Sequence, residues 1–386
     1  MAKHRRPINQ RSIKLRIVVL CLLMCGFGWR PDLASPLTAQ GVSDAAPQPA
    51  SVRDGQHDFD FNIGVWHTHI RRVLDPFSGS SKSIELNGTV TVRKVWDGRA
   101  QLEEIEADGP NGHWEGLTLF LYNPQSHQWS QSFIDSKMGV LTAPLIGSFK
   151  DGRGELFSLD TFHDKSILDR GVWSNIKPGS HRFEESYSND GGATWVPAFI
   201  ADLTQETQSA APDVLDPAAN KNEKISTAAE DGQHDFDFDF GTWKTHSSRL
   251  LHPLTGSTTW VDMDGATVVK KVWDGRANLA EYKADGSAGH IELLSLRWFN
   301  PTTNEWNLDF ATPTVGTLGI PGVSEFKNGR GNFYDYELIN GRSVVVRFSI
   351  WKITPDTAQS EQAFSGDGGK TWEVNWINKY ERETEK

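Results

Sequence analysis

Asp54-Gly55-Gln56-His57-Asp58-Phe59-Asp60-Phe61-Asn62-Ile63-Gly64-Val65-Trp66 decides the fold, because this stretch occurs twice. It returns as Asp231-Gly232-Gln233-His234-Asp235-Phe236-Asp237-Phe238-Asp239-Phe240-Gly241-Thr242-Trp243. From that anchor, residues 54–206 align with 231–383 at a constant offset of 177 without a gap, and about 60 of the 153 pairs are identical. Val95-Trp96-Asp97-Gly98-Arg99-Ala100 likewise returns as Val272-Trp273-Asp274-Gly275-Arg276-Ala277. Each copy, at roughly 150 residues, is long enough to bury its own core, so the repeat reads as two complete domains rather than solenoid modules.

Working outward, each copy carries strand and tight-turn signals and no long helical period. Gly88 to Trp96 alternates in character, Asp97-Gly98 marks a hairpin turn, and Leu102 to Ala107 is the return strand. Leu117 to Tyr122 is a further strand closed by Asn123-Pro124, and Gln128 to Ile134 follows it. Val344 to Ile350 is the clearest strand of the second copy. With 35 Gly and 15 Trp in 386 residues, the composition also suits an all-β protein, and each copy is expected to hold about eight to ten antiparallel strands. Ser188-x-Asp190-Gly191-Gly192-x-Thr194-Trp195 and Ser365-x-Asp367-Gly368-Gly369-x-Thr371-Trp372 match the Asp-box pattern, read here as a structural hairpin made by turn chemistry.

A short opening turn followed by Gly64-x-Trp66 and Gly241-x-Trp243 resembles the calycin superfamily, the lipocalins and their relatives. That resemblance implies tandem antiparallel up-and-down β-barrels around ligand cavities, with Phe59 and Ile63 beneath the first. It also implies an Arg of the last strand over the Trp: Arg382 is so placed in the second copy, whereas the first has Gln205. The His-Asp-Phe-Asp-Phe opening is also similar to that of a group of uncharacterised bacterial exported proteins.

The flanks set the organisation. Residues 1–40 carry seven Lys or Arg against one Asp, then the apolar run Ile17 to Phe27, and read as a signal peptide or an uncleaved anchor. Residues 41–53 form a lead, 54–206 the first barrel, 207–230 a linker rich in Ala, Pro, Asp, Asn and Lys, and 231–386 the second barrel. Export to the periplasm or medium is expected. Cys21 and Cys25 both lie in the leader, so the remainder has no disulfide, thiolate nucleophile or cysteine metal site. The net charge of −11 argues against nucleic acid and anionic membranes as partners, and no stable membrane insertion is expected after leader removal.

Polar residues kept in both copies are the candidates for chemistry. Strand parity directs Arg72 and Arg249 inward with Trp66 and Trp243, Glu104 and Glu281 with Leu102 and Leu279, and His113/Glu115 and His290/Glu292 with the neighbouring leucines. Arg170 is retained as Arg347, and Arg347 interrupts a strongly apolar strand. The arginines and Glu104/Glu281 are expected to bind a ligand, and the His/Glu pairs to act as general acid and base. The same residues would equally serve as ion pairs joining strands. His67-x-His69 is broken in the second copy by Lys244, and no His follows His290, so neither a metal site nor a cofactor is expected. Three functions remain open: binding of a small apolar or amphipathic ligand, a cofactor-independent isomerase, hydratase or lyase, and a structural or interaction module. Oligomeric state is not readable.

Overall fold

The computed structural model describes residues 54–79, 82–205 and 232–383. The expected leader, lead and linker lie outside them. Both repeats are closed antiparallel barrels of ten strands, as expected from the turn spacing. The first runs β1 (Gly64–Val73), β2 (Ser83–Val95), β3 (Ala100–Gly109), β4 (Gly112–Asn123), β5 (Gln128–Asp135), β6 (Leu145–Lys150), β7 (Arg153–Phe162), β8 (Lys165–Lys177), β9 (Ser180–Ser188) and β10 (Val196–Gln205). Each strand pairs with its neighbour in sequence, and β1 closes on β10.

The second barrel runs β11 (Gly241–Leu250), β12 (Trp260–Val272), β13 (Ala277–Gly286), β14 (Gly289–Asn300), β15 (Glu305–Ala311), β16 (Gly322–Ser324), β17 (Phe326–Lys327), β18 (Arg330–Ile339), β19 (Arg342–Trp351), β20 (Thr357–Ser365) and β21 (Glu373–Arg382). β16 and β17 are the counterpart of β6, interrupted at Glu325, and pairing of β16 with β18 closes the wall.

The repeated opening plugs one end of each barrel. A single 3-10 turn, Asp60–Asn62, drives Phe59 fully inside, where its ring meets Phe120, Trp129, Phe149 and Trp173 at centroid distances of 4.7–5.5 Å. Phe61 joins this cluster, its ring 5.9 Å from that of Phe59, where Ile63 was expected. The tryptophans tie the plug to the wall: Trp66 Nε1 donates to Asn62 O (2.8 Å) and Trp129 Nε1 to Gly55 O (2.8 Å). The same bonds recur from Trp243 to Asp239 O and from Trp306 to Gly232 O.

The arginine expected over the Gly-x-Trp indole is present in the second barrel. Arg382 lies 4.0 Å over the Trp243 ring and donates to the carbonyls of Phe240 and Phe238. In the first barrel His181 of β9 takes that role against Trp66, ring to ring at 4.4 Å, where the second barrel has Ala358.

Two glycines let β2 and β12 press onto their neighbours. A Cβ on Gly88 would stand 1.8 Å from Glu106 O, and one on Gly265 1.9 Å from Lys283 O. The obstacle is backbone, so Gly88→Ala and Gly265→Ala are each expected to destabilise by about 1–3 kcal/mol in chemical denaturation. Unchanged midpoints would show that the strands can part without cost.

Candidate functional site

Two places gather the polar residues: the seam between the barrels and the mouth of the first barrel. At the seam, Leu102, Leu117, Leu119, Leu121 and Ile134 point outward from barrel 1 and are buried against Leu279, Leu294, Leu296, Trp298 and Ala311 of barrel 2. The interior parity of β4 is instead carried by Trp114, Thr118, Phe120 and Tyr122. Both faces of this strand are therefore apolar, one toward its own lumen and one toward the other barrel.

The repeated Trp-Asp-Gly-Arg motif is built for this seam. Trp96 and Asp97 adopt left-handed backbone (φ 52° and 55°), as do Trp273 and Asp274 (φ 48° and 53°), a costly conformation for a bulky residue. It folds each indole into the seam core. Arg99 Nε then donates to Trp96 O (3.3 Å), with its guanidinium 4.7 Å from the Trp96 ring, and Arg276 does the same on Trp273.

From there both arginines cross to the other barrel. Arg276 grips Glu115 bidentately at 2.7 and 2.6 Å, and Arg99 pairs with Glu292. Since Arg99 and Arg276, and Glu115 and Glu292, are equivalent residues, the barrels are related by a pseudo-twofold. Lys283 adds a bond to Asp97, and Glu104 accepts from the Trp273 amide (3.3 Å) while pairing with Arg93.

These contacts locate most of the residues singled out by repetition. Glu115 and Glu292 lie on outer faces, not in a lumen, because the leucines sharing their parity are seam residues. The Arg276 hydrogen bond holds the Glu115 carboxyl below its ordinary pKa. At Glu292 burial pushes upward, but the bonds from His290 and Arg99 outweigh it and the net shift is down. Both are anions anchored by arginine. His113 and His290 are half-exposed at the seam edge and bind Asp108 (3.0 Å) and Asp285 (2.8 Å). His290 is raised by its bonds to Asp285 and Glu292.

Glu281 pairs with Lys270 (2.9 Å). Arg170 and Arg347 stand outside the barrels, 4.4 and 4.6 Å over the Asp-box indoles Trp195 and Trp372. The boxes themselves are turns: Asp190 accepts from the Thr194 amide (2.9 Å) and hydroxyl (2.6 Å), and Asp367 from those of Thr371. Of the residues singled out from the sequence, Arg72 and Arg249 keep the inward parity of Trp66 and Trp243 and lie exposed at barrel ends. Arg249 is stacked 4.9 Å over Trp376.

The mouth of barrel 1 holds a group that repetition could not reveal. Asp169, Glu185 and Tyr187 point inward from β8 and β9, with Arg72 of β1 facing them and exposed Asp160 of β7 at the rim. Asp169 is buried, and its carboxyl and that of Glu185 lie close enough to act on each other. Burial, then the negative charge of Glu185, pushes Asp169 up to about 9. Burial raises Glu185 too, so both carboxyls resist ionisation. Burial raises Tyr187 as well. Beside this group runs a ladder of rings, Phe133, Trp114, Phe199 and Phe183, at successive centroid distances of 6.0, 6.4 and 6.3 Å, with Phe199 in register with Glu185 and Arg72. The second barrel has Val346, Gln362 and Phe364 at the equivalent positions, which is why a filter on retained residues passes over the site.

Deeper polar groups have also diverged by exchange. Glu103 is fully buried and accepts from Thr118 (2.9 Å) and Asn62 (3.2 Å), whereas barrel 2 replaces Glu103 by Ala280 and pairs Asp239 with Arg297. Among the described residues no group of three or more His, Cys, Asp or Glu is placed to hold a metal, and no helix is long and apolar enough to cross a membrane.

No family model matches the chain, and no curated protein matches it. Solved structures that it resembles include an S-type phycobiliprotein lyase from Guillardia theta, at 12% identity and TM-score 0.30, covering 41% of this chain and 95% of that one. A de novo designed fluorescence-activating β-barrel matches at 12% identity and TM-score 0.23, covering 40% and 100%. A DUF3598-family protein of unknown function from Nostoc punctiforme matches at 8% identity and TM-score 0.25, covering 86% and 100%. These likenesses assign the chain to no family.

Two outcomes are expected. Reversing one bridge with Arg276→Glu should weaken the seam, and adding Glu115→Arg should restore part of the loss. A double-mutant cycle on unfolding should give about 1–3 kcal/mol of coupling, and additive effects would contradict the exchange. Burial lowers His181 from 6.5 to about 4, so the unfolded chain binds a proton that the native state refuses. Its contribution is intact above pH 6.5 and falls away as pH drops toward 4. His181→Phe should flatten stability across that window, by roughly 2–3 kcal/mol, in urea titrations at several pH values.

Proposed function

We propose that the protein is exported and binds a small amphipathic molecule at the mouth of barrel 1, with Asp169, Glu185 and Arg72 engaging its polar end. What supports this reading is a pair of inward-facing carboxyls, Asp169 and Glu185, both raised by burial, beside the rings of Phe183, Phe199, Trp114 and Phe133. A buried carboxyl is costly unless something uses it, and clusters of shifted groups concentrate at functional sites. Arg72 already faces Glu185, so it is not a free receptor for an anion. The ligand's polar end is instead neutral and both donates and accepts, such as a hydroxyl or amine. Its apolar part lies on Trp114, Phe133 and Phe199. The basic and apolar leader supports export.

Two adjacent carboxyls, both raised by burial, favour one further reading, acid–base catalysis on the same bound molecule. Asp169 would give the proton and Glu185 take one, in place of the His/Glu pairs held at the seam. Both readings use the same pocket, and binding comes first.

N-phenyl-1-naphthylamine, a neutral probe with one N–H, tests the site by its fluorescence gain. Saturable binding is expected. Glu185→Leu should weaken it by about 10-fold, the loss of one charge-assisted bond, and Arg249→Ala should leave it unchanged. Equal affinity in Glu185→Leu would contradict the assignment.

A further inference from the structure

A cavity of about 310 Å³ lies between the barrels, beside the seam core. Its floor is the Trp298 indole, its walls are residues 139–144 of barrel 1 and 318–321 of barrel 2, and its entry is framed by exposed Val140 and Ile320. Three polar side chains that line it are more than nine-tenths buried, Ser132, Asn300 and Asn307; Asn300 Oδ1 accepts from the Thr302 and Thr303 amides, and Thr142 Oγ1 accepts from the Phe133 amide. Ser132 Oγ and Asn307 Nδ2 hydrogen-bond to no protein group. Buried donors left without a partner cost about 1–3 kcal/mol each, which makes them exceptions in need of a reason. No charged side chain lines the cavity.

We infer that this cavity is a second binding site, for a small neutral molecule that is mostly apolar and carries a hydrogen-bond acceptor such as a carbonyl. Asn307 Nδ2 can only donate, and the Ser132 hydroxyl can donate as well, so the cavity offers two unused donors to an acceptor. The absence of lining charge disfavours ions, which would lose hydration without compensation. Its volume is at the small end of the ligand-pocket range of about 300–1,000 Å³ and suits a molecule of one ring. The walls are held rigid. Trp298 Nε1 donates to Gly139 O (3.0 Å), and Asp309 accepts from the Gly319 amide (3.0 Å), fixing one loop from each barrel.

The divergence of the repeats supports a built feature. Trp298, Asn307 and Ser132 stand where the other copy has Leu121, Ser130 and Asp309. At the pseudo-twofold position Asp309 pulls its own loop inward through Gly319, whereas Ser132 has no such bond to the equivalent loop. The two halves of the seam therefore differ here, and the cavity's lining is distinct from that of the barrel mouth.

Acetophenone, neutral and with one carbonyl, is a suitable probe on the full chain. The readout is the Trp298 indole N–H resonance in ¹H–¹⁵N spectra, assigned with Trp298→Phe. A saturable shift is expected, weakened at least fivefold in Asn307→Leu, which keeps the shape and removes the donor. Ile320→Trp, which closes the entry, should abolish it while leaving the other indole resonances in place. Glu185→Leu should have no effect, which separates this site from the barrel mouth. A shift that fails to saturate, or that survives both Asn307→Leu and Ile320→Trp, would overturn the inference.

Discussion

The crossing of Arg99 to Glu292 and of Arg276 to Glu115 is the contact on which the arrangement depends. Each bridge lies at the edge of a buried apolar patch made by the outer faces of β3–β5 and β13–β15. A lone barrel would expose Leu102, Leu117, Leu119, Leu121 and Ile134 together, a patch of the kind that drives association. In tandem, the patch is covered by its own duplicate. Full burial of a leucine is worth about 1.5–3 kcal/mol, so the apolar contact holds the barrels together. The arginine bridges set the register, since they meet in only one relative orientation. The left-handed Trp96 and Trp273 turns are the strain accepted to place those arginines.

A pseudo-twofold seam explains what the two copies share and what they do not. An isologous contact needs the same residues on both sides, so duplication freezes Trp-Asp-Gly-Arg, Glu115/Glu292 and their leucines together. The lumens feel no such constraint and have drifted by compensated exchange. Glu103 with Asn62 faces Asp239 with Arg297, and His181 on Trp66 faces Arg382 on Trp243. Each exchange leaves a buried polar group with a partner or an aromatic neighbour. The Asp169–Glu185 pair has Val346 and Gln362 at the equivalent positions of barrel 2, so this polar group belongs to one lumen alone.

The fold was largely legible in the sequence, because turn signals and the repeat act locally and in register. Asp97-Gly98, Asn123-Pro124 and the Gly-x-Trp opening each mark what the backbone does. The site was not legible, for two physical reasons. Parity separates two faces of a strand but does not say which is the lumen, and β4 is apolar on both. Leu117 and Leu119 therefore pointed His113 and Glu115 the wrong way. Retention between copies, used as a filter for function, selects the residues of a self-complementary seam and discards a site that only one copy owns. The usable signal was Asp169, a charge on the same parity as Trp173 within an apolar strand.

Calorimetry of the full chain tests the central claim most directly. If the seam locks the barrels, the heat-capacity trace should show one cooperative transition whose calorimetric and van't Hoff enthalpies agree for the whole two-barrel unit. Two separable transitions, each sized for about 150 residues, would show that the barrels unfold independently and would contradict the account.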